Sequence, residues 1–453
     1  MKKTDRYMKN IFKLLLLILL AHSCAPSSGG MGKKARTSWR DVKPLGMVLV
    51  KRGSFVMGGS ADSIIGEANA RREISVESFW MDESEVTNHM YQQFVNWVRD
   101  SIFREELGEE YLEKDRAGNY RRPIPWRKID MMEPIIEKYY KRHPMNGTLM
   151  LRGELLNYAY RWYDRDGAAK AQYQIDPRKR VRNTDIVVND LPIFYEKDTV
   201  EMNDEGILEQ RTIRVQITDD TNFIHDRLVN VYPDTTVWVN DLGNSIGAEY
   251  TQSYFSHPAY VNHPVVGVTW EQAMAYCAWR TDRTDMNSKQ WINYTPYRLP
   301  TEAEWEFAAK SRKNKDANYA WGNNDLEDSK GCLPANFQPG LGNFSKDGYV
   351  IASSVGTFKA NELGIFDLAG NVAEWTSTAY SEEGISDGSA INPDNNFVAL
   401  TSDPYFLKRK VVRGGSFRDA PQFIRVEIRS HEYQNQPRAY VGFRCVRTKL
   451  GDN

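Results

Sequence analysis

Cysteine, long apolar runs and net charge are all scarce in this chain of 453 residues, and each shortage removes a class of protein. Its 4 cysteines are too few for a disulfide framework, so the core has to come from packing. A formal net charge of -1 leaves no whole-molecule field to draw it to nucleic acid or an anionic membrane, so no nucleic-acid partner is expected. The 7 histidines are His22, His89, His143, His225, His257, His263 and His431, and no two stand at the i, i+4 spacing of a helical metal site. His257 and His263 each precede a proline, so they read as loop and core histidines. No nucleophile elbow is present, and Gly53–Gly59 reads as a turn rather than a phosphate cradle. Internal repeats at solenoid periods are absent too.

What the chain does have is an ordinary globular composition, 41% hydrophobic and 26% charged, with 12 Trp to give a loop-rich fold apolar area to bury. Its N-terminus is distinctive. Lys2, Lys3, Arg6 and Lys9 precede an apolar run from Ile11 to Ala21, interrupted only by Lys13. About ten apolar residues make a signal-peptide core, whereas a membrane span needs roughly 20. The run closes on Ala21-His22-Ser23-Cys24, which resembles a bacterial lipoprotein signal. Residues 1–23 are then a signal peptide, Cys24 is the lipidation site, and 24–45 is a small, polar, basic tether. Several acyl chains on Cys24 would anchor the protein durably, at about 0.8 kcal/mol per buried methylene. The other reading is secretion with Cys24 discarded.

Beyond the tether, Met47–Gly59 suggests two short strands around a turn glycine, and Ser75–Asp82 alternates like another strand. Thr87 stands as a helix cap before apolar Met90, Tyr91, Phe94, Val95 and Val98. From about residue 100 to 256 charge density rises and tyrosines accumulate. A segment this long inside a compact domain should carry structure of its own. Apolar spacing predicts helices over Ile129–Arg142 and Leu149–Tyr163, and alternation predicts strands over Arg211–Thr218 and Thr235–Asn240. Motif-rich sequence of the N-terminal kind resumes at His263–Trp279, where Thr269 and Gln272 form a capping-box start, and again at Arg298–Ala309 with Thr301 and Glu304. After Trp321 the density of Gly, Asn, Asp and Pro predicts turns and short strands.

In order, Met47–Gly59, Phe79-Trp-Met-Asp82, Glu85-Val-Thr-Asn88, His263–Trp279, Arg298–Ala309, Ala335-Asn336-Phe337, Gly364–Trp375, Arg413-Gly-Gly-Ser-Phe417 and Gly442-Phe-Arg-Cys445 resemble the formylglycine-generating-enzyme, or sulfatase-modifying-factor, family. That resemblance implies an α+β fold of the formylglycine-generating, C-type-lectin-like kind, with little regular secondary structure. The domain would run over 46–99 and 257–448, interrupted by a long α/β insertion at 100–256. Enzymes of the family hold copper through two cysteines shortly after the Arg-Gly-Gly-Ser motif, and soft monovalent copper requires thiolates. Here Arg413–Arg429 contains no cysteine, so no copper, no catalytic residues and no enzyme activity are expected. A related branch uses histidine-held iron, for which the histidines above give no set.

The resemblance also implies two structural calcium sites. One would use Asn336, the Phe337 carbonyl, Asp347 and the Tyr349 carbonyl. The other would use Asp367, the Gly370 and Val372 carbonyls and Glu374. Calcium suits such irregular sets of hard oxygens. Structural calcium is the favoured reading of these residues, with ordinary Asx turns and a buried Glu–Arg pair as the alternative. Cys277 and Cys445 stand where the family often forms a disulfide, with two buried free thiols as the alternative. Together with the lipoprotein signal, the cysteine-free segment, and the blocks at 121–130 and 240–245, the insertion resembles GldK/PorK proteins of the gliding-motility and type IX secretion machinery. That narrower resemblance implies a non-catalytic lipoprotein on the periplasmic face of the outer membrane. It would form a ring with a GldN/PorN-type partner.

Overall fold

Short strands punctuated by turns dominate the first described stretch. In the computed structural model the described residues are 43–59, 71–107, 133–142, 147, 149–169, 175–176, 181–182, 194–204, 207–287, 295–340, 345–384 and 389–451. The signal segment, Cys24, the tether up to residue 42 and the block at 121–130 lie outside them. Met47–Val50 (β1) and Gly53–Met57 (β2) are the two short strands their apolar spacing predicts, but Gly53, expected as a turn, is the first residue of β2. The single strand expected over Ser75–Asp82 is instead two, Arg72–Val76 (β3) and Phe79–Asp82 (β4). The break has a cause. β3 pairs with β2 and β4 with β1, while the Glu77 N–H is captured by Asn392 and the Ser78 carbonyl by the Lys449 N–H. The next element is a helix, Asn88–Leu107 (α1), started by Thr87 Oγ1 accepting from the Met90 N–H. It buries Tyr91, Phe94, Val95 and Val98.

The insertion is built from small pieces: Glu133–Tyr139 (α2), Tyr140–Arg142 (β5), Leu149–Leu151 (β6), Asn157–Tyr163 (β7), Arg165–Ala169 (α3), Ile175–Asp176 (β8), Val181–Arg182 (β9), Phe194–Met202 (β10), Leu208–Gln216 (β11) and Ile224–Asn230 (β12). The described part of the helix expected over Ile129–Arg142 is helical only to Tyr139. Leu149–Tyr163 is not an α-helix: a single 3-10 turn at Gly153–Leu155 separates two strands. Its second half, Asn157-Tyr-Ala-Tyr-Arg-Trp-Tyr163, puts aromatics at every second position, and the half-buried strand pattern outweighs the helical spacing. Conversely, the strand expected over Thr235–Asn240 is the helix Val237–Leu242 (α4), followed by Asn244–Ser253 (α5). There Asp234 Oδ1 accepts from the Thr236 N–H and Oγ1, turning the chain into the helix, and adjacent Val237 and Trp238 both find cover. The strand expected over Arg211–Thr218 is β11.

Trp270–Asn287 (α6) begins with the predicted capping box: Thr269 N–H donates to Gln272 Oε1 and Gln272 N–H to Thr269 Oγ1. After Tyr297–Arg298 (β13), the Thr301–Glu304 box opens Glu302–Ala309 (α7), all eight residues of which are buried. Turns then run to Ala373–Ala379 (β14), followed by Arg409–Arg413 (β15), Arg429–Tyr433 (β16), Val441–Gly442 (β17) and Val446–Thr448 (β18). Two four-stranded sheets frame the core, ordered β1-β4-β18-β13 and β16-β15-β14-β17, the last pair parallel. Residues Lys43–Lys449 pack as one unit. Among the described residues no helix is long and apolar enough to cross a membrane.

Candidate functional site

The segment after β15 turns on two consecutive glycines with positive φ, Gly414 and Gly415. A Cβ on Gly415 would lie 2.7 Å from Ile424, so only glycine lets the loop fold this closely. Arg413 anchors the turn from within. Its guanidinium donates to Glu306 Oε2 at 2.5 Å, to Glu302 Oε1 at 3.2 Å and to the Val426 carbonyl at 2.6 Å. Burial works against the Glu306 charge, yet Arg413 and Lys310 hold its carboxyl below the usual range. The following residues close the loop. Asp419 Oδ2 accepts from both the N–H and the hydroxyl of Ser416, the Asp419 carbonyl accepts from the Gln338 N–H, and Ile424 is wholly buried among core residues. A soft metal has nothing to bind here. The segment offers carboxylates and alkyl chains but no sulfur, so its donor set does not fit copper.

Beside this loop lies a buried cluster of opposite charges. Arg444 grips Glu374 through two bonds, Nη2 to Oε1 at 2.6 Å and Nε to Oε2 at 2.7 Å, and Trp305 Nε1 adds a third at 2.9 Å. The same guanidinium donates to the carbonyls of Phe366 and Asp82. Glu85 is fully buried; its Oε1 accepts from Asn371 Nδ2 at 2.8 Å, while Oε2 has no donor. Burial, reinforced by Asp367, pushes the Glu85 carboxyl well above its usual range. Burial raises Asp367 as well, although the Gly356 N–H bonds its Oδ2 at 2.7 Å. Three carboxylates thus face one guanidinium. A shared proton between Glu85 and Asp367 balances this group, and so would a cation.

Of the two predicted calcium sets, the second supplies this cluster with Asp367 and Glu374. Glu374, however, is already committed to Arg444 and Trp305. Gly370 backs onto Asn336, whose carbonyl would sit 2.1 Å from any Cβ there and accepts from the Asn371 N–H. Val372 is wholly buried. In the first set Asp347 reaches across its loop: Oδ2 accepts from the Phe337 N–H at 3.1 Å and Oδ1 from the Tyr349 N–H at 3.0 Å. Asn336 Nδ2 donates to the Ile351 carbonyl and to Asn371 Oδ1. The first set therefore retains hard-oxygen lone pairs in one place and fits calcium chemically. Both sets also make the Asx-type bonds and the Glu–Arg pair named as their alternative. No group of three or more His, Cys, Asp or Glu able to hold a metal occurs among the described residues.

Cys277 on α6 and Cys445 beside β18 are brought together in the core as thiols, their sulfurs 3.5 Å apart. Burial, then Cys445, raises the Cys277 thiol well above its usual value. Cys332 is exposed and joins neither. Sequence reasoning missed Glu85, Asn371 and Arg444 as members of one cluster, although Glu85-Val-Thr-Asn88 and Gly442-Phe-Arg-Cys445 were visible as motifs. Their shared role needs the meeting of residues 286 positions apart, which no local pattern carries.

A model of the sulfatase-modifying factor enzyme 1-like domain family matches residues 34–188 and 197–449. Among individual proteins, the formylglycine-generating enzyme of Mycobacterium tuberculosis is 37% identical over 191 residues, covering 41% of this chain and 57% of that protein. The inactive C-alpha-formylglycine-generating enzyme 2 of Bos taurus is 39% identical over 189 residues, covering 40% and 50%. The chain thus spans about half the length of the relatives it matches. The structure of PvdO from Pseudomonas aeruginosa superposes over 89% of this chain and 94% of that one, at 15% identity and a TM-score of 0.42.

Proposed function

From the premise that this chain belongs to the sulfatase-modifying factor enzyme 1-like domain family, we propose that it is a member with shape and no turnover. It serves as a lipid-anchored structural subunit of the GldK/PorK type in the type IX secretion and gliding machinery. One observation carries the non-catalytic part: the segment where the family's enzymes place their copper thiolates holds Asp419, tied to Ser416, and Ile424, buried in the core. The family's mixture of formylglycine-generating enzymes and inactive relatives makes such a loss an established course within it. The lipoprotein signal ending at Cys24 supports a place on the periplasmic face of the outer membrane. The 100–256 insertion and its tyrosines support assembly into a ring with a GldN/PorN-type partner. Calcium, held at Asn336 and Asp347 with the Phe337 and Tyr349 carbonyls, serves as a structural ion.

Native mass measurement of the detergent-extracted complex, with its subunits identified, tests the assembly. A large oligomer containing a second protein is expected, and a monomer would end the scaffold reading. Incubation with copper and a cysteine-containing sulfatase peptide tests the chemistry. No formylglycine is expected, and its appearance would restore the alternative of a divergent oxidase. A calcium-dependent ligand-binding module is the other alternative, favoured by the Asp347 loop. Binding that chelation abolishes in a monomeric protein would select it.

A further inference from the structure

Strand β7 has one satisfied edge and, among the described residues, one open one. Its register with β12 is unbroken from Asn157↔Asn230 to Tyr163↔Ile224. The Asp164 N–H bonds the Phe223 carbonyl and the Leu156 carbonyl accepts from Val231, so the even-numbered residues face β12. Asn157, Ala159, Arg161 and Tyr163 therefore turn their N–H and C=O groups the other way. The far edge of β12 is closed by side chains: Gln210 Oε1 accepts from the Leu228 N–H, Lys197 donates to the Ile224 carbonyl, and Gln272 donates to the Asn230 carbonyl. Among the described residues nothing closes the outer edge of β7 in this way.

That edge lines a cleft of about 1120 Å³. Every residue from Tyr158 to Arg165 contributes to its wall. Successive strand side chains point to opposite faces, so an unbroken run of lining residues means that the backbone edge itself faces the space. Glu77, Ser78 and Asn392 form the facing wall, held in place by the Glu77–Asn392 hydrogen bond and by the Ser75–Asn392 backbone contact. The cleft exceeds the roughly 300–1,000 Å³ of small-molecule sites. Six carboxylates against three arginines line it, an excess of negative charge. To blunt its edge β7 has neither proline nor bulge but only the one charge of Arg161, itself paired with Asp226, and Tyr163 is 42% exposed.

We infer that the outer edge of β7 is a β-augmentation site, which takes an extended, lysine- or arginine-bearing polypeptide segment of a partner protein as an added strand. The open ladder at Asn157, Ala159, Arg161 and Tyr163 supplies the main-chain bonds, the acidic cleft selects the charge, and its aromatics pack the incoming side chains. The site is separate from the Arg413 loop and stands whether or not the scaffold reading holds.

The probe is an acetylated, amidated peptide of alternating Val and Lys, about eight residues long to match the strand. It is offered to the detergent-solubilised full chain alongside three controls: the Val-Glu peptide, a Val-Lys peptide N-methylated at alternate residues, and chitotetraose. Binding of the Val-Lys peptide is expected, with new hydrogen-exchange protection over 155–165 and weaker binding of the Val-Glu peptide. Ala159→Pro removes an outward N–H that bonds nothing in the β7–β12 pair, so the fold is kept while affinity falls about tenfold or more. N-methylation should abolish binding to the unmodified chain, which keeps the test valid if Ala159→Pro does not fold. Equal affinity of the N-methylated peptide or of the proline variant would overturn the proposal. So would failure of the Val-Lys peptide to bind, or binding of chitotetraose in its place.

Discussion

Lys410 offers a direct test of how this core handles charge. It is wholly buried, with Nζ donating to the Phe397 carbonyl at 2.6 Å and the Ser377 carbonyl at 3.3 Å, and lying 4.1 Å from the Trp270 ring centre. Burial lowers its pKa from 10.5 to about 7, against the pull of Asp394, whose own carboxyl burial raises to about 6. A folded-state pKa below the unfolded one means that the native chain binds fewer protons, so stability rises with pH between about 7 and 10.5. Between pH 7 and pH 9.5 the gain is about 3 kcal/mol at 1.36 kcal/mol per unit, allowing for half-titration at the lower end. Lys410→Met removes that dependence. It also frees Asp394 to hold a proton longer, which costs the variant stability as pH rises and widens the gap in the same direction. Urea denaturation of both proteins at the two pH values is the assay. Near pH 7 the two should be close, because methionine escapes the cost of burying a charge but leaves two carbonyls unbonded. By pH 9.5 the wild type should lead by about 3 kcal/mol. A gap constant to within about 1 kcal/mol would mean that Lys410 stays charged beside Asp394, and the reasoning from burial would fail.

Three further outcomes are expected. Arg444→Met leaves Glu374 buried without its guanidinium and should cost about 3–5 kcal/mol by calorimetry, with Arg444→Lys a poor rescue because lysine cannot reproduce the two-point grip. His225 accepts the Asp198 N–H at Nδ1 and meets the Tyr195 hydroxyl at Nε2, and burial lowers its pKa to about 4. A depressed histidine pKa means stability lost as pH falls from about 6.5 towards 4. Relative to His225→Gln, the wild type should therefore lose about 2 kcal/mol between pH 7 and pH 4.5 in denaturant titrations. A thiol reagent applied to the native protein should modify Cys332, which is exposed, and spare Cys277 and Cys445 until the chain is unfolded, as read by peptide mass mapping.

The parts of the fold legible from sequence are those whose signal is local. The Thr269–Gln272 and Thr301–Glu304 boxes are each a bond between residues three apart, and both form as expected. β1 and β2 are legible for the same reason. The insertion is harder to read because its patterns serve two periods at once. Leu149–Tyr163 carries apolar residues at helical spacing, yet Tyr158, Tyr160 and Trp162 also alternate, and pairing with β12 decides between the two. The candidate site divides likewise. That Arg413–Arg429 contains no cysteine is plain from the sequence, whereas the engagement of Glu374 by Arg444 and Trp305 emerges only when β14, α7 and the link between β17 and β18 meet.

Preservation and change fall in different places, and the physics of each place explains why. A buried guanidinium between two carboxylates, as at Arg413, is costly to break from one side, because the charge left behind has no water to go to. Such pairs hold their loops whatever chemistry those loops frame. Positions 419 and 424 carry no such constraint: a turn-closing aspartate and a core isoleucine there leave no orphaned charge. An exposed strand edge follows the opposite logic. Four outward N–H and C=O pairs are tolerable in water and become an asset only when another strand covers them. New recognition is therefore easiest to build on β7, at the margin of the inherited core, where it disturbs none of the buried ion pairs.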